Sequence, residues 1–265
     1  MARKNIWVNT IVHNEENFIW FAITSVVDFV DKVLVWDTGS TDKTVEIIKE
    51  IIKEKGNKVE FKEVGSTDKY EFTKMRQAQL MQSKCDWIII LDGDEIWWED
   101  SIKKVIKEIN QNNKIEGIVV PMVLPVGDIY HFQEESAGRY ELLGRKGHLS
   151  LRAINRRIPN LHVDWPYGKE SYLDQNNKPV QERAGIIFLD VPYLHVTHLE
   201  RSTQKRTSDK FKYELGNKKE GFKYPEVLYK PFPSFLSSPW IEIGGRKLLF
   251  AKLLTPLRKI KRRFS

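Results

Sequence analysis

Two carboxylates separated by one glycine, Asp92-Gly93-Asp94, stand directly after a strongly apolar run. The four residues before them read IIIL and predict a buried strand that ends at the acids. Carboxylate oxygens are the ligands that Mg²⁺ and Mn²⁺ prefer, and these ions commonly join a protein to the phosphates of a substrate. An acid pair of this spacing is common on protein surfaces, so the interpretation depends on where the fold places it.

Polar clusters also come just after two earlier apolar runs. Asn14-Glu15-Glu16 comes after NIWVNTIV, and Asp37 opens the turn DTGS after VLVW. The carboxyl ends of parallel strands meet at one edge of a sheet, and open α/β sheets bind their ligands there. We therefore expect the three polar clusters to converge at that edge. Asp37 and Asp42 fit the alternative role of ordinary turn and helix-capping residues equally well.

The DTGS turn also occurs in aspartic proteases, where it carries a catalytic acid. Those enzymes need two such acids that share one proton. This chain has one DTGS, and a helical pattern follows it directly. The context excludes the protease interpretation. Instead, Gly39 supplies a tight turn, and Ser40 or Thr41 is expected to cap the next helix.

The elements that must position these clusters alternate along the first 120 residues. Apolar, β-branched segments predict strands, and apolar residues three and four apart predict helices between them. The predicted strands are 5–12, 32–36, 59–64, 86–91 and 116–124, and the predicted helices are 15–30, 42–55, 70–84 and 101–110, the last capped by Ser101. This order predicts an α/β fold with a mostly parallel, doubly wound sheet flanked by helices.

The second half of the chain is less regular. Residues 125–185 mix Gly, Pro, Arg and aromatic residues without a clear period, apart from a predicted strand at 149–156. We predict a further strand at 186–200, a polar helix at 203–216 and a proline-broken loop at 224–240.

The composition predicts a soluble globular protein. The chain has 265 residues, of which 41% are hydrophobic and 30% charged, and its mean hydropathy is −0.46. No run approaches the roughly 18–20 apolar residues that cross a bilayer, and the segment MARKNIWVNTIV fits a first strand better than a signal peptide. The lone Cys85 excludes an intrachain disulfide and fits a reducing compartment. We therefore expect a cytoplasmic protein.

The net charge of +7 is concentrated in the carboxy-terminal tail. Residues 246–265 hold eight basic residues and no acid, so the other 245 residues carry a net charge of −1. This distribution argues against nucleic acid as a partner. The tail is amphipathic, with Pro256 interrupting an apolar side formed by Leu249, Leu253, Leu257 and Ile260. Such a segment favours binding to an anionic membrane surface, and a helix packed on the body or a disordered end are the alternatives.

The three polar clusters together resemble family 2 glycosyltransferases with the GT-A fold. The resemblance covers residues 5–100 and is carried by TIVHNEENFI, VLVWDTGSTDKT and MRQAQLMQSKCDWIIILDGDE, which follow the family's order and spacing. They resemble in particular the bacterial branch that builds lipopolysaccharide core and cell-surface glycans. The chain departs from the family at Thr38, where many members have a second Asp, and at Gln77, where Asn is usual.

The resemblance implies a nucleotide-sugar donor, with a UDP-sugar favoured, and a divalent cation, Mn²⁺ or Mg²⁺. The implied nucleotide-sugar-binding residues are Ile11, His13, Glu15, Asp37, Ser40, Arg76, Asp92 and Gly93, and the implied metal ligands are Asp92, Asp94 and His198. A cation suits this chemistry because negative charge develops on the leaving diphosphate. His195 is the alternative to His198. Further along, Arg201, Lys205 and Arg206 would either contact phosphates or form a solvated face.

A fainter resemblance continues in the second half. The same branch has a basic strand, then a His-Glu pair, then a strand that bears histidines. The corresponding segments here are 149–157, Lys169-Glu170 in WPYGKESY, and HVTHLERS. The resemblance implies that Glu170 is the general base that deprotonates the acceptor hydroxyl, with Asp164 as the second candidate. A solvated loop acid is the alternative role for Glu170.

We therefore expect a GT-A-like domain at 1–215, with a nucleotide-sugar-binding half at 1–123 and an acceptor half at 124–215, followed by a loop and tail at 216–265. The expected activity is metal-dependent, inverting transfer of a sugar to a cell-envelope glycan or lipid-linked acceptor at the inner face of the plasma membrane. A nucleotidyltransferase is disfavoured because NEENFIW has no glycine for a phosphate-binding loop. A catalytically silent, membrane-associated binding protein is the alternative of a different class.

Overall fold

The computed structural model describes residues 3–66, 68–166, 168–204 and 214–263. The strands are β1 (Ile6–Val12), β2 (Lys32–Asp37), β3 (Val59–Glu63), β4 (Trp87–Ile90), β5 (Glu95–Trp97), β6 (Gly117–Val123), β7 (Pro125–Val126), β8 (Asp128–Phe132), β9 (Tyr140–Leu142), β10 (Arg145–Gly147), β11 (Leu149–Asn155), β12 (His162–Asp164), β13 (Ser171–Leu173), β14 (Ile186–Phe188), β15 (Tyr193–His195) and β16 (Asn217–Lys218). The helices are α1 (Ile19–Thr24), α2 (Thr44–Lys55), α3 (Lys69–Gln82), α4 (Glu99–Gln111) and α5 (Gly245–Arg263).

A nine-stranded sheet organises the fold. Its strands follow the order β3-β2-β1-β4-β11-β6-β15-β5, and β14 also pairs with β6. β3, β2, β1 and β4 run parallel to one another. β11 lies antiparallel between β4 and β6 and so joins the early strands to the later ones, while β14 and β15 run parallel to β6. The predicted α/β fold, a mostly parallel sheet flanked by helices, is confirmed.

The central strand β4 is apolar throughout because both of its faces are covered. Ile89 packs in a core cluster that includes apolar residues of α1, α2 and α4. Ile88 and Ile90 point the other way and pack in a second cluster with Leu80 of α3. Successive side chains of a strand alternate between faces, so a strand buried on both sides shows no polar alternation. Each fully buried isoleucine contributes roughly 1.5–3 kcal/mol, which fixes the strand that delivers the acid pair.

Three helix predictions need correction or fall outside the described chain. α1 occupies only residues 19–24 of the predicted 15–30, because turns flank it on both sides. α4 begins at Glu99, so Ser101 lies inside its first turn and does not cap it. The polar helix predicted at 203–216 lies largely outside the described residues.

The strand predicted at 186–200 is two strands in the structure. β14 and β15 are separated by residues 189–192, which include Pro192. Proline lacks the N–H that a central strand donates to its neighbour, so the continuous strand is interrupted there. The loop predicted at 224–240 is confirmed as irregular, apart from one short 3₁₀ turn at Glu226–Tyr229.

The tail forms the helix α5, and its polar side faces the body of the protein. Thr255 accepts a hydrogen bond of 2.8 Å from the backbone N–H of Leu215, and Lys259 Nζ lies 2.5 Å from Glu134 Oε1. Pro256 lies within the helix, so the prediction that it interrupts the segment was wrong. The apolar stripe faces outward, with more than half of each side chain exposed: Leu249, Phe250, Leu253, Leu257 and Ile260.

Candidate active site

A large open cavity lies at the carboxyl ends of β1 and β4, where the polar clusters were predicted to converge. Its volume is about 1260 Å³. Most of the residues predicted for the site line it: Ile11, His13, Glu15, Arg76, Asp92, Gly93, Asp94, Glu170 and His198. Residues of the second half, from Leu124 to Arg258 of α5, complete its walls. The cavity therefore joins the early strand ends to the irregular part of the chain.

Asp92 lies between two buried arginines. Arg76, from α3, donates a hydrogen bond of 3.0 Å to Asp92 Oδ1, and Arg152 Nη2, from β11, lies 3.6 Å from Asp92 Oδ2. Burial pushes the pKa of Asp92 upward, but the two guanidinium groups outweigh it, and the net pKa lies below the ordinary value. Asp92 is therefore a carboxylate at neutral pH, held in place by cations on both sides.

Asp94 is engaged through both of its carboxylate oxygens. Arg201 Nη1 donates to Asp94 Oδ2 at 2.7 Å and to Glu15 Oε1 at 2.9 Å. His195 Nε2 lies 3.4 Å from Asp94 Oδ1. Burial lowers the pKa of His195, but the charge of Asp94 more than offsets this, and the net pKa is raised. Lys205 and Arg206, the other predicted phosphate contacts, lie outside the described residues.

Gly93 permits the acid pair to approach the end of β1. A Cβ at this position would lie 2.8 Å from Glu15 Cγ and 3.2 Å from Val12 Cγ1, closer than ordinary van der Waals contact. The glycine is therefore required by close approach, and it brings Glu15 and Asp94 to the same guanidinium group.

The donor groups around Asp94 suit a divalent cation. Within the described ranges, no three carboxylate, imidazole or thiol groups already stand in metal-binding geometry. Asp94 and His195 nevertheless present an oxygen and a nitrogen that face each other, which are ligand types that Mn²⁺ accepts. His198, the histidine predicted for this role, lines the cavity, and its backbone forms an isolated parallel β-bridge with Val126. His195 thus lies beside the acid pair, and the metal-binding role of His198 stays a prediction.

Asp37 and Ser40 shape the turn after β2 and do not line the cavity. Asp37 Oδ2 accepts hydrogen bonds of 2.9 Å from the backbone N–H groups of Gly39 and Ser40. Ser40 Oγ in turn accepts a hydrogen bond of 2.8 Å from the N–H of Asn14. α2 begins only at Thr44, so neither Ser40 nor Thr41 caps it. Asp37 thus supports the turn next to the end of β1, and its predicted role in binding the nucleotide stays a prediction.

The two candidate bases differ in position. Both flank the hairpin formed by β12 and β13, in which Asp164 pairs with Ser171. Glu170 lines the cavity and accepts a hydrogen bond from the N–H of Gly168. Asp164 is exposed, does not line the cavity and accepts from the N–H of Trp165. Of the two carboxylates, Glu170 is the one that an acceptor in the cavity can reach.

A buried group behind the acid pair was not predicted from the sequence. Arg152 forms an ion pair with Glu95 and donates hydrogen bonds of 3.1 and 3.0 Å to the hydroxyl of Tyr193. Burial raises the pKa of Glu95 to about 7, although the guanidinium opposes the rise. The available signal was an arginine within the apolar alternation of LSLRAINR, since a charged side chain on a buried strand needs a partner.

We expect Arg152→Met to lower the free energy of unfolding by about 3–5 kcal/mol, because Glu95 would lose its buried cation. The double variant Arg152→Met/Glu95→Gln removes both charges and should recover most of this loss. Urea unfolding at pH 8, followed by tryptophan fluorescence, measures both. Arg157→Met is the matched control: its side chain is 78% exposed, and its effect should stay within about 0.5 kcal/mol. A loss under about 1 kcal/mol for Arg152→Met, typical of a surface pair, would contradict the structural role.

The sequence model described as Glycosyl transferase family 2 matches residues 7–165, more than half of the chain. The protein therefore belongs to glycosyl transferase family 2. This confirms the family that the three polar clusters predicted. The narrower lipopolysaccharide-core branch stays a prediction.

Comparison with solved structures shows the fold. S. aureus TarS has a TM-score of 0.51 at 16% identity, over 74% of this chain and 37% of that one. Glucosyl-3-phosphoglycerate synthase from Mycobacterium tuberculosis, solved with Mn²⁺, UDP and glucosyl-3-phosphoglycerate, has a TM-score of 0.47 at 18% identity, over 72% of each chain. The mannosyltransferase PcManGT from Pyrobaculum calidifontis, solved with GDP-Man and Mn²⁺, has a TM-score of 0.42 at 19% identity, over 60% of this chain and 46% of that one. No match was found among curated protein sequences.

Proposed function

We propose that this glycosyltransferase moves a sugar from a nucleotide-diphosphate sugar, in the first instance a UDP-sugar, to a hydroxyl group with inversion at the anomeric carbon. The observation that carries the proposal is the acid pair at the cavity, in which Asp92 is partly exposed and Asp94 is buried, with Arg76 and Arg152 beside Asp92 and Arg201 beside Asp94. Residues 1–123 would supply most of the donor half, and residues 124–215 the acceptor half. Cations around a leaving diphosphate stabilise the charge that develops on it.

Asp94 and His195 would hold a divalent cation, Mn²⁺ or Mg²⁺, with Asp92 close to it. When bound, such an ion supplies positive charge that stabilises the leaving diphosphate without a proton transfer. Arg76, which is 8% exposed and lines the cavity, would contact the diphosphate. His13 and Ile11, at the end of β1, would contact the nucleoside.

Glu170 would act as the general base. It would accept the proton of the acceptor hydroxyl while the oxygen attacks the anomeric carbon from the side opposite the diphosphate, so that one glycosidic bond forms as the bond to phosphate oxygen breaks. Its position on the cavity wall supports this role. Asp164 stays the second candidate, although its exposure outside the cavity disfavours it.

Release of the nucleoside diphosphate tests the proposed activity. Purified protein would be incubated with UDP-, GDP-, CMP- and dTDP-sugars, each with Mn²⁺, Mg²⁺ or EDTA, using water as the acceptor. We expect slow hydrolysis of one nucleotide-diphosphate sugar, faster with a divalent ion. Hydrolysis of none of them under any condition, together with no binding of the same nucleotides, would contradict the donor assignment and favour a catalytically silent binding protein.

The acceptor is proposed to be a cell-envelope glycan or glycolipid at the inner face of the plasma membrane. In the described part of the chain, no helix combines the length and apolar character needed to cross a bilayer. Support for a peripheral mode comes from α5, whose outward stripe of five apolar side chains is flanked by basic residues. Arg258 of the same helix lines the active-site cavity, so the surface that would meet the membrane adjoins the cavity.

We expect the protein to sediment with vesicles that contain anionic phosphatidylglycerol, and to do so less in high salt, because basic residues near such a surface contribute about 1 kcal/mol each. Leu253→Glu/Leu257→Glu should weaken this binding at least tenfold. Both side chains lie on the outward stripe, 61% and 62% exposed, and the anionic lipid repels the introduced carboxylates. Lys103→Glu, an exposed basic residue of α4, is the matched control for added negative charge. Equal sedimentation of both variants would contradict the proposed membrane surface.

A further inference from the structure

Arg201 joins two acids that come from different loops. One nitrogen, Nη1, bonds both to Glu15, just after β1, and to Asp94, just after β4. The side chains of the two acids are only 5% and 3% exposed. Two buried carboxylates this close require a cation between them, because desolvation and mutual repulsion both disfavour their charged forms. Arg201 is that cation, and it also lines the cavity.

Hydrogen bonds hold the segment that carries Arg201 to the loops that follow β1 and β2. The backbone carbonyl of Arg201 accepts a 3.0 Å hydrogen bond from the N–H of Asn17. Ser202 Oγ donates to Asp42 Oδ2 at 2.6 Å, and the N–H of Thr203 donates to Glu16 Oε1 at 2.7 Å. These contacts connect residues more than 150 positions apart in the chain. The guanidinium group is therefore held at the acid pair by its own backbone.

This position places Arg201 in competition with a divalent cation. Asp94 Oδ2 accepts a hydrogen bond from Arg201, and Asp94 Oδ1 faces His195. A metal ion that binds Asp94 would therefore lie close to the fixed positive charge of the Arg201 guanidinium group. Like charges at such distance repel each other, most strongly where water is excluded. A diphosphate reverses the balance, because its negative charge attracts the guanidinium group and the metal ion together.

We propose that Arg201 is an internal cation of the donor site that couples the binding of metal and nucleotide. It neutralises Glu15 and Asp94 when the site holds no nucleotide, opposes the binding of a divalent ion alone, and contacts the diphosphate of the donor once it binds. This inference rests on the proposed nucleotide-sugar site. Its consequence is that part of the diphosphate affinity persists without metal, while the metal binds tightly only together with the nucleotide, which is a coupling between two ligands.

Two binding measurements on the full chain test this role without reference to catalysis. The affinity for Mn²⁺ alone is measured from the electron paramagnetic resonance signal of the free ion, and the affinity for UDP and GDP is measured by calorimetry in EDTA. Arg201→Gln should bind Mn²⁺ about tenfold tighter and the nucleotide in EDTA about tenfold weaker, changes of the size of one charge-assisted hydrogen bond. Arg201→Lys keeps the charge and should stay near wild type. The control Arg157→Gln, on an exposed side chain, should change neither affinity.

The opposite signs of the two changes separate this role from a structural one. If Arg201→Gln weakens both ligands, the residue only supports the site and the proposal is overturned, as it is if neither affinity changes. Should Arg201→Gln fail to fold, Glu15→Gln/Arg201→Gln removes one charge of each sign and carries the same expectation for Mn²⁺. If wild type binds no nucleotide, the donor-site proposal fails, and the Mn²⁺ measurement alone still decides whether Arg201 competes with the ion.

Discussion

Glu170→Gln is expected to lower the rate of nucleoside diphosphate release by about 10²–10⁴-fold, the usual contribution of a general base. The amide keeps the shape of the carboxylate but cannot accept the proton of the attacking hydroxyl. Glu170 lines the cavity between β12 and β13, so donor affinity should remain within about twofold of wild type, as for a change that removes an interaction made only in the transition state. Rates come from diphosphate release, with water as acceptor, and affinities from calorimetry.

Asp164→Asn is the matched control, because it makes the same chemical change in the same hairpin on a side chain outside the cavity. Its rate should stay within about threefold of wild type, as expected of a surface substitution. If instead Asp164→Asn lost the activity and Glu170→Gln kept it, the two roles would have to be exchanged. Loss of donor affinity in Glu170→Gln would place this residue in the donor site rather than at the acceptor.

Asp94→Asn is expected to lower the same rate by about 10²–10³-fold, the range for removal of one preorganised electrostatic group. Unlike Glu170→Gln, it should also abolish the increase in nucleotide affinity that Mn²⁺ produces. The reason is that Asp94 faces His195 on one oxygen and Arg201 on the other, so its charge organises every cation on that side of the cavity. Calorimetric titration of UDP in Mn²⁺ and in EDTA measures the effect.

Asp86→Asn serves as the control for Asp94→Asn. Asp86 precedes β4 at its amino-terminal end and accepts a hydrogen bond from the N–H of Asn5, an interaction that an amide oxygen also makes. Activity and metal dependence should therefore be unchanged. An Asp94→Asn protein that retains a Mn²⁺-dependent gain in nucleotide affinity would show that the ion, if it binds, uses other ligands.

The donor side of the site was predictable because its signals are local. Four apolar residues directly before Asp92 predict a strand that is buried on both faces. The polar residues after β1 indicate where the neighbouring strand ends. The rule that parallel strands present these ends at one edge then brings Glu15 and Asp94 together. Asp37 also lies at the end of its strand, but its carboxylate accepts hydrogen bonds from the N–H groups of the turn that follows. A local motif predicts where a residue lies in the sheet, but it does not predict which groups its side chain contacts.

The carboxylate partners of Arg152 and Arg201 were not predictable in the same way. Arg152 reaches Glu95 across 57 positions of the chain, and Arg201 reaches Asp94 across 107. Arg152 lies in a predicted strand whose partner the sequence does not name, and Arg201 lies in a segment whose charge is equally typical of a solvated face. His195 is the last residue of β15 and His198 follows three residues later, and the ends of elements are the least certain part of any sequence pattern. Pro256 also could not be judged from the sequence. The sequence alone predicts a break at this proline, but α5 continues through it and contacts the body of the protein.

The proposed function requires that the cavity at the ends of β1 and β4 binds a nucleotide-sugar donor through the Asp92-Asp94 pair. The most direct measurement is the thermal stability of wild type and Asp94→Asn against UDP, GDP, CMP and dTDP and their sugars, with Mn²⁺ and with EDTA. A nucleotide at about 100 times its dissociation constant adds roughly 2.7 kcal/mol of stability. We expect such a gain for one nucleotide class in wild type, larger with Mn²⁺, and loss of the Mn²⁺-dependent part in Asp94→Asn. No stabilisation of wild type by any nucleotide, or an equal Mn²⁺-dependent gain in both proteins, would contradict it.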